Sequence, residues 1–500
     1  MDRFEPGRRA FEEYPPELEL EADVCIIGAG AGGCAGAAAL AEAGLSVIVL
    51  EEGRHWKSSE FKASTPFALT NLYQEGGTRG ATGNGLIMVN GGKGVGGSTL
   101  INSAICFKTP EPILEDWREN HGCEALETER FSALLDRVWR TIGAVKNPEV
   151  FQRNNNLIFK EGAEALGLKG DFLYRSAPGC TGCGVCNLGC PTGGKLSVDR
   201  SFLVQALETE RVGVYADCRV GEVAFSGSRI TSVMGDTMDP VTRQPAGRFR
   251  VKADRFLLSA GPVGSPRFLT RNGLSTSEHC GSHLHLHPAI GFFGRFEKVI
   301  NPWSGVNQGY YVDRWEEGYL LQTATIPPDQ LAMGMPVGPA EQLDWLANMR
   351  HIATAGALVH DEDSVGSVGS MALTYFLGDG DRQRLIRGMR EGARVYFAAG
   401  AVGVIPSVVG VGVIRSPDEI DEKLPLDIPA RALITIASHP MGSCRMGGSP
   451  DTSVIDPWGR VWAWDNLYVA DASVFPSSLG VNPQVTVMAM GLLVGQGMSV

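Results

Sequence analysis

Near its N-terminus the chain has the hydrophobic pattern of a strand, a glycine turn, a helix and a second strand. An apolar run at 24–27 is followed by glycines, an alanine-rich stretch at 34–43 and a second apolar, partly β-branched run at 45–50. Short alternating segments between 213 and 260 predict strands that join the same region. The pattern therefore predicts a βαβ unit at 22–53 within an α/β fold.

Two long uncharged runs, 397–414 and 485–500, need a separate explanation, because 18 or more apolar residues can mark a transmembrane helix. The first contains Pro406 and four glycines, which make a poor helix, and the second is slightly short. We therefore predict buried core and no integral membrane segment. Residues 300–430, with scattered Trp and Tyr and irregular polarity, predict a mixed region of sheet and helix.

Composition narrows the class of protein. The 500 residues are 43% hydrophobic and 20% charged, which indicates a large globular enzyme of more than one domain. The 64 glycines predict many tight turns or close approaches of backbone to ligand. The net charge of -12 argues against a nucleic-acid partner, because phosphate binding needs a basic face.

The N-terminal segment and the cysteines indicate a compartment. The first 21 residues are charged and lack the apolar stretch of a secretory signal, so we expect a cytoplasmic location. The eleven cysteines should be reduced there. A tight cluster of them would then indicate metal binding or redox chemistry before disulfides.

The glycine turn has the spacing of a dinucleotide-binding motif. Gly28, Gly30 and Gly33 lie between predicted strand and helix, and Glu51 ends the next strand, 23 residues after Gly28. Such glycines permit the turn, let the backbone approach a pyrophosphate and allow close helix packing, while the carboxylate can bind ribose hydroxyls. The motif predicts dinucleotide binding but does not separate FAD from NAD.

Further stretches resemble the glucose-methanol-choline (GMC) oxidoreductases. Residues 94–104 resemble that family's flavin-contacting loop, and 438–447, 466–471 and 480–487 follow the order of its closing region. The resemblance covers most of the chain except 300–430. It implies FAD as cofactor, and an α/β fold in which a Rossmann-like FAD-binding domain is interleaved with a mixed-sheet α+β substrate domain.

The resemblance also implies domain bounds and cofactor contacts. We expect an FAD-binding domain from 20–110, 196–299 and 430–500, a substrate domain at 300–429, and an intervening segment at 111–195. Asp471 is expected near the ribityl or phosphate region. Pro483 suits the first residue of a helix whose positive end faces the charge of reduced flavin. The full set of expected cofactor residues is Gly28, Gly30, Gly33, Glu51, Gly96, Gly97, Ser98, Asn102, Ser103, Ala104, Asp471 and Pro483.

Two residues of the closing region suit alcohol oxidation. Transfer of hydride from an alcohol to flavin requires loss of the hydroxyl proton, and a neutral imidazole can accept it. His439 would be that base, so activity should fall as the pH drops through a value near 6.5. Asn482 would hydrogen-bond the same oxygen without competing for the proton.

The cysteines at 180–190 have the spacing C-x₂-C-x₂-C-x₃-C-P of a bacterial ferredoxin loop. Cys180, Cys183, Cys186 and Cys190 are therefore candidate ligands of an iron–sulfur cluster. A structural zinc site, disulfides and free thiols remain open alternatives. Long-chain alcohol oxidases of the GMC family have a similar cysteine-rich stretch as a sequence signature only, whereas some glucose and fructose dehydrogenases of the family hold iron–sulfur clusters. The resemblance therefore does not decide among these alternatives.

The sequence predicts a substrate class only in outline. Scattered aromatic residues suit an apolar or aromatic alcohol better than a free sugar. They are Trp303, Tyr310, Tyr311, Trp315, Tyr319 and Trp345. We expect a dehydrogenase that passes electrons to a protein or quinone. The alternatives are an oxidase that reduces dioxygen, and a flavin and iron–sulfur electron-transfer protein without its own alcohol substrate.

Overall fold

The computed structural model describes residues 2–275 and 277–499, so residue 500, the last of the apolar run at 485–500, lies outside the described residues. Two large sheets organise this part of the chain. Its α-helices are Ala31–Glu42, Thr65–Asn71, Glu111–Glu119, Thr128–Thr141, Arg153–Ala165, Phe202–Glu208, Gly261–Arg271, Pro328–Gly334, Pro339–Ala347, Asp379–Ala398, Ile420–Lys423 and Gln484–Met498.

The first sheet is built around the predicted βαβ unit. Glu17–Ile27 pairs in parallel with Val47–Leu50 on one side and with Pro245–Leu258 on the other. The strand order is Cys218–Ser226, Arg229–Met238, Pro245–Leu258, Glu17–Ile27, Val47–Leu50, Val212–Tyr215 and Gly7–Arg9, with Leu467–Val469 beside Pro245–Leu258 and Asp2–Arg3 beside Glu17–Ile27. All residues of Val47–Leu50 are buried, as expected for a parallel strand covered on both faces.

Two small-residue helices pack closely against each other beside this sheet. Ala31–Glu42 is rich in alanine and glycine, and Gln484–Met498 is almost entirely buried. A Cβ atom at Gly491 would lie 2.3 Å from the carbonyl oxygen of Gly32, so only glycine allows this approach. The apolar C-terminal run is therefore buried core in its described part, as predicted. No helix of the described residues combines the length and apolarity needed to cross a membrane.

The second sheet is mostly antiparallel and draws many strands from the region predicted to be mixed. Its order is Val365–Val368, Leu373–Phe376, Gly80–Thr82, Leu86–Val89, Thr435–Ala437, Ala289–Arg295, Ile352–Val359, Tyr319–Thr323, Tyr310–Arg314 and Gly170–Phe172, with Gly403–Pro406 beside Ala289–Arg295. A separate two-stranded ribbon pairs Val145–Lys146 with Tyr174–Arg175. The uncharged run 397–414 contains the buried strand Gly403–Pro406 and is not a single helix.

The expected domain bounds do not coincide with the two sheets. Gly80–Thr82, Leu86–Val89 and Ala289–Arg295 belong to the second sheet, although they lie in segments expected to form the FAD-binding domain. The chain therefore passes between the sheets several times, which agrees with an interleaved arrangement. The domain bounds given above stay a prediction.

Candidate active site

A cavity of about 850 Å³ is lined by residues of both sheets. Of the fourteen residues expected to bind FAD or act in catalysis, eleven line it, and Gly33, Gly96 and Ala104 do not. The eleven are Gly28, Gly30, Glu51, Gly97, Ser98, Asn102, Ser103, His439, Asp471, Asn482 and Pro483. Residues far apart in the sequence thus converge on one site.

The glycine turn lies at the edge of this cavity. Gly28 has φ +105°, and a Cβ there would lie 2.3 Å from the carbonyl oxygen of Ser259. A Cβ at Gly33 would lie 2.1 Å from the carbonyl oxygen of Gly28. Gly30, which precedes helix Ala31–Glu42, would meet no protein atom within 4 Å. Its missing side chain leaves open space at a helix N-terminus, which fits a pyrophosphate.

The Glu51 carboxylate ties the turn to the segment that follows the next strand. It accepts hydrogen bonds from the backbone N–H groups of Ala29 (3.0 Å), Gly53 (3.0 Å) and Gly94 (3.1 Å). Burial raises the pKa of Glu51 to about 7, and the nearby Glu52 charge adds to the increase. These N–H donors favour the ionised form and limit the rise. The side chain lines the cavity where ribose hydroxyls would bind.

The expected flavin loop lies directly on the glycine turn. Gly96 N–H donates to the carbonyl oxygen of Ala29 at 2.8 Å. A Cβ at Gly97 would lie 2.8 Å from Cα of Gly30. The loop continues through Asn102, whose Oδ1 accepts from the N–H of Ala104, a residue with φ +62°. A positive φ is strained for a residue other than glycine.

Three side chains anchor the loop on its other side. Asn102 Nδ2 donates to Gln484 Oε1 at 2.9 Å. Ser98 Oγ accepts from the N–H of Gly92 at 3.0 Å. Ser103 Oγ lies 3.4 Å from Asn187 Nδ2. The loop is therefore fixed before any cofactor binds.

Asp471 is buried beside the turn that follows the strand Pro245–Leu258. Its carboxylate accepts from the N–H groups of Gly261 (2.9 Å) and Ser473 (2.7 Å) and from Ser265 Oγ (2.5 Å). Burial raises the pKa of this carboxyl, while the hydrogen bonds oppose the rise. The arrangement holds Asp471 rigidly in the cavity wall.

Pro483 lies immediately before the buried C-terminal helix. That helix begins at Gln484, one residue later than the position expected from Pro483. The helix start, with both residues, lines the cavity. The positive end of the helix dipole therefore lies at the cavity, and the expected contact of Pro483 with flavin stays a prediction.

His439 and Asn482 meet at the cavity wall. Asn482 Nδ2 lies 3.2 Å from His439 Nε2, and the Oδ1 atom of Asn482 accepts a 2.8 Å hydrogen bond from Gln322 Nε2. His439 is half-buried, and its Nδ1 atom has no hydrogen-bond partner among the described residues. A hydroxyl group placed between the two side chains could donate to His439 and accept from Asn482.

The surroundings of His439 keep its ring neutral. Burial lowers the pKa of His439 to about 4, and the carboxylate of Asp361 opposes this shift. The ring of His287 packs edge-on against that of His439, with centroids 5.6 Å apart. His287 Nε2 accepts from the N–H groups of Leu479 and Gly480, which precede Asn482. His287 thus holds the base and the loop of Asn482 together.

Part of the cavity wall is apolar. Phe293, Ile326, Leu358, Ile434 and Ile436 line the cavity. None of the six aromatic residues that suggested an aromatic substrate lines it in the described part of the chain. Most of them are packed elsewhere in the protein. The apolar wall is therefore formed by other residues than the six aromatic ones from which an apolar substrate was expected. The sequence did not predict a role for Gln322, the hydrogen-bond partner of Asn482, because its strand carries no motif.

The four cysteines of the loop at 180–190 line a second, small cavity. Cys183 is exposed, Cys180 and Cys190 are half-buried, and Cys186 is buried. All four are free thiols. In the described residues, no three His, Cys, Asp or Glu side chains are grouped so as to hold a single metal ion.

Comparisons with known proteins agree with this geometry. Residues 69–289 and 360–491 match family profiles described as GMC oxidoreductase, and 23–65 match one described as FAD binding domain. An uncharacterised GMC-type oxidoreductase of Mycobacterium tuberculosis is 34% identical over 95% of this chain and 75% of its own length. A long-chain-alcohol oxidase of Arabidopsis thaliana is 28% identical over 94% of this chain and 66% of its own length.

Solved structures confirm the predicted fold class. Pyridoxine 4-oxidase from Mesorbium loti has a TM-score of 0.71 at 18% identity and covers 95% of this chain and 98% of its own. Formate oxidase of Aspergillus oryzae has a TM-score of 0.71 at 14% identity, with 96% and 98% covered. Together with the family profiles and the 34% identical relative, the fold and the cavity establish that the chain belongs to the GMC oxidoreductases, a family of FAD-binding enzymes.

Proposed function

We propose that this protein oxidises an alcohol to a carbonyl compound by hydride transfer to FAD. The observation that carries the proposal is the pair His439 Nε2 and Asn482 Nδ2, 3.2 Å apart on the wall of the cavity that also exposes Gly30 and Glu51. The pair offers one proton acceptor and one hydrogen-bond donor at the same point. An alcohol undergoing oxidation needs both at its oxygen.

His439 acts as the base in this proposal. Its lowered pKa leaves Nε2 unprotonated at neutral pH, free to take the hydroxyl proton. Asn482 Nδ2 donates to the same oxygen and orients the carbinol carbon. FAD, when bound, supplies the hydride acceptor. The protonated imidazole that forms is favoured by the buried negative charge of Asp361.

Different cofactor residues are proposed to bind different parts of FAD. We propose that the helix N-terminus behind Gly30 binds the pyrophosphate and that Glu51 binds the ribose. Asp471 would lie against the ribityl or phosphate region. The start of helix Gln484–Met498, with Pro483, would stabilise negative charge on the reduced ring system. The loop residues Gly96, Gly97, Ser98, Asn102, Ser103 and Ala104 would cover the flavin.

The proposed substrate is an apolar alcohol, aliphatic or aromatic. The support is the apolar part of the cavity wall, which includes Ile326 and Leu358. The name of the Arabidopsis relative, a long-chain-alcohol oxidase, favours the same class.

We propose further that the enzyme is a dehydrogenase, whose electrons pass to a protein or quinone. The support is the cysteine loop, where an iron–sulfur cluster on Cys180, Cys183, Cys186 and Cys190 would carry electrons singly. In the cytoplasm, the location that we propose, these thiols would remain reduced. An oxidase is the alternative, and the relatives named as oxidases favour it. A pure electron-transfer protein would have no use for His439 and Asn482.

Anaerobic mixing tests the reaction. Addition of a long-chain primary alcohol to the purified holoenzyme should bleach the flavin absorption band and yield one equivalent of aldehyde per FAD. A flavin that no alcohol reduces would exclude alcohol oxidation. Readmission of oxygen then separates the two acceptors, because an oxidase recovers its flavin band rapidly with peroxide formation and a dehydrogenase does so slowly.

A further inference from the structure

Cys280 and Cys444 lie opposite each other on two segments that run antiparallel. The N–H group of the residue after Cys280 donates to the carbonyl oxygen of the residue before Cys444 at 2.8 Å. Further along, an antiparallel bridge joins His285 to Met441. The residues next to a hydrogen-bonded pair face each other across antiparallel segments, with Cα atoms about 4.5 Å apart in a regular sheet. The two cysteines occupy such opposed positions.

The two thiols differ in their surroundings. Cys280 is half-buried and packs against the apolar cluster that contains Cys444, whereas Cys444 is 0% exposed. The sulfur atom of Cys280 lies 3.7 Å from Thr270 Oγ1 and 3.8 Å from the carbonyl oxygen of Pro266. Solvent therefore reaches Cys280 but not Cys444.

The two thiols also differ in ionisation. A hydrogen bond with the Cys444 thiol lowers the pKa of Cys280 to about 7, and the hydroxyls of Thr270 and Ser275 act in the same direction, while burial opposes them. Burial raises the pKa of Cys444 well above its ordinary value. The thiolate is the nucleophilic form of cysteine, so Cys280 is the reactive member of the pair and Cys444 is the thiol in reserve.

This combination distinguishes the pair from the other cysteines outside the loop at 180–190. Those five are buried, and burial raises the pKa of each. They are Cys25, Cys34, Cys106, Cys123 and Cys218. A buried thiol with a raised pKa is inert, whereas a thiolate that solvent reaches is open to oxidation.

We propose that Cys280 and Cys444 form a site of reversible oxidation by peroxide, at which a disulfide joins them. The Cys280 thiolate attacks one oxygen of hydrogen peroxide, the O–O bond breaks, and the product is a sulfenic acid and one water. The sulfur of Cys444 then attacks the Cys280 sulfur, so that an S–S bond forms and a second water leaves. In total the two thiols lose two electrons and two protons, and these reduce one hydrogen peroxide to two waters.

The backbone positions suit this bond. A disulfide joins Cα atoms about 4.4–6.8 Å apart, a range that includes the separation of directly opposed residues on antiparallel segments. The two cysteines are 164 positions apart in the sequence. A cross-link that closes so long a loop restricts the unfolded chain strongly, and the oxidised protein should therefore be the more stable form.

The cross-link would also brace the active site. Cys444 follows His439 by five residues, and its N–H donates to the carbonyl oxygen of Ser473 at 2.8 Å. The N–H of Ser473 in turn donates to Asp471 at 2.7 Å. The disulfide would tie this part of the cavity wall to the segment 280–287, so the oxidised holoenzyme should release FAD more slowly on heating. The oxidation itself uses no alcohol and no hydride transfer, so it is independent of the proposed reaction.

Peptide mapping of the unmodified holoenzyme tests the proposal. Reduced protein is treated with hydrogen peroxide, its remaining thiols are alkylated, and it is digested with trypsin. The tryptic peptides 272–295 and 432–445 contain one cysteine each, Cys280 and Cys444. We expect them to appear joined in most chains, with two hydrogen atoms fewer than the separate peptides, and to separate again after dithiothreitol.

Three variants identify the roles of the two thiols. Cys444→Ser should stop at the sulfenic acid of Cys280, which dimedone traps, and Cys280→Ser should give neither product. Cys183→Ser, at an exposed cysteine of the loop at 180–190, is the control and should form the same joined peptides. Because the unmodified protein is mapped first, a variant that fails to fold does not decide the result.

Thermal unfolding and flavin release measure the effect on the protein. The oxidised holoenzyme should melt several degrees higher than the reduced one, and dithiothreitol should remove the difference. Joined peptides that leave the melting temperature unchanged would overturn the bracing role. Separate peptides after peroxide treatment, or Cys280 joined to a cysteine of the loop at 180–190 instead, would overturn the site itself.

Discussion

Gln322 Nε2 donates a 2.8 Å hydrogen bond to Oδ1 of Asn482, and both side chains are buried. A carboxamide has one donor end and one acceptor end, so this contact fixes which end faces His439. With Oδ1 engaged, Nδ2 points to His439 Nε2 at 3.2 Å. Gln322 is therefore a positioning residue for the proposed catalytic pair.

Replacement of Gln322 by Leu should lower kcat about tenfold to a hundredfold, because Asn482 is then no longer held with its Nδ2 toward the reacting oxygen. KM should change little, because Asn482 is proposed to contact the alcohol only at that oxygen. Steady-state kinetics of a double-mutant cycle measures this. In an Asn482→Ala background, Gln322→Leu should have almost no further effect. Gln330→Leu is the control, since Gln330 also lines the cavity but bonds to Thr65 Oγ1. Additive losses would show that Gln322 acts by another route.

The sequence could predict His439 and Asn482 but not Gln322. The first two lie in stretches whose order and spacing resemble a family. Gln322 lies 160 residues from Asn482 in the sequence, and the contact exists only because strand Tyr319–Thr323 joins the second sheet. The six aromatic residues that suggested the substrate class do not line the cavity, for a related reason. The sequence shows that they are present, but it does not show which face of a sheet borders the cavity.

His439→Ala should reduce the rate of flavin reduction by at least about a thousandfold while FAD stays bound, since the proton acceptor is lost and the cofactor contacts are not. Anaerobic stopped-flow absorbance measures the rate, and the flavin released on denaturation measures occupancy. His351→Ala is the matched control, because His351 is half-buried, does not line the cavity, and hydrogen-bonds through Nδ1 to the backbone carbonyl oxygens of Glu297 and Lys298. A near-normal rate in His439→Ala would remove His439 from the mechanism.

The pH profile should differ from that of an exposed histidine. A base must be unprotonated to act, so kcat/KM falls as the pH drops through the pKa of His439 in the free enzyme. Because burial lowers that pKa to about 4, we expect the fall near this value and not near 6.5, where the sequence alone placed it. Circular dichroism at each pH separates this titration from acid unfolding. An inflection near 6.5 would show that the surroundings of His439 do not lower its pKa.

Two glycines of the turn should respond differently to the same substitution. Gly30→Ala places a methyl group in open cavity, where no protein atom lies within 4 Å, so the apoprotein should keep its stability and lose FAD affinity. Gly33→Ala places a methyl group 2.1 Å from the carbonyl oxygen of Gly28 and should destabilise the fold itself. Thermal unfolding of the apoproteins and flavin titration distinguish the two. Equal flavin affinity in Gly30→Ala and the unmodified protein would place the pyrophosphate elsewhere.

Ile326→Asn tests the apolar wall of the cavity. Ile326 lines the cavity and packs against the apolar cluster of Phe293, Leu331 and Met335. Loss of the proposed apolar contact between Ile326 and the alkyl chain should raise KM for a long-chain alcohol about tenfold, since burial of one apolar side chain contributes about 1.5–3 kcal/mol at most. We expect kcat to change little, because the contact is equal in the ground and transition states. A short alcohol that does not reach Ile326 should be unaffected.

The control for this substitution is Val409→Asn, at a valine that is 59% exposed and does not line the cavity. It should leave KM unchanged for alcohols of every length. Thermal unfolding checks that Ile326→Asn has not simply loosened the cluster around Phe293, which would lower kcat for long and short alcohols together. If KM of Ile326→Asn rises equally for both lengths, the wall that contains Ile326 does not contact the alkyl chain, and the proposed substrate class loses its main structural support.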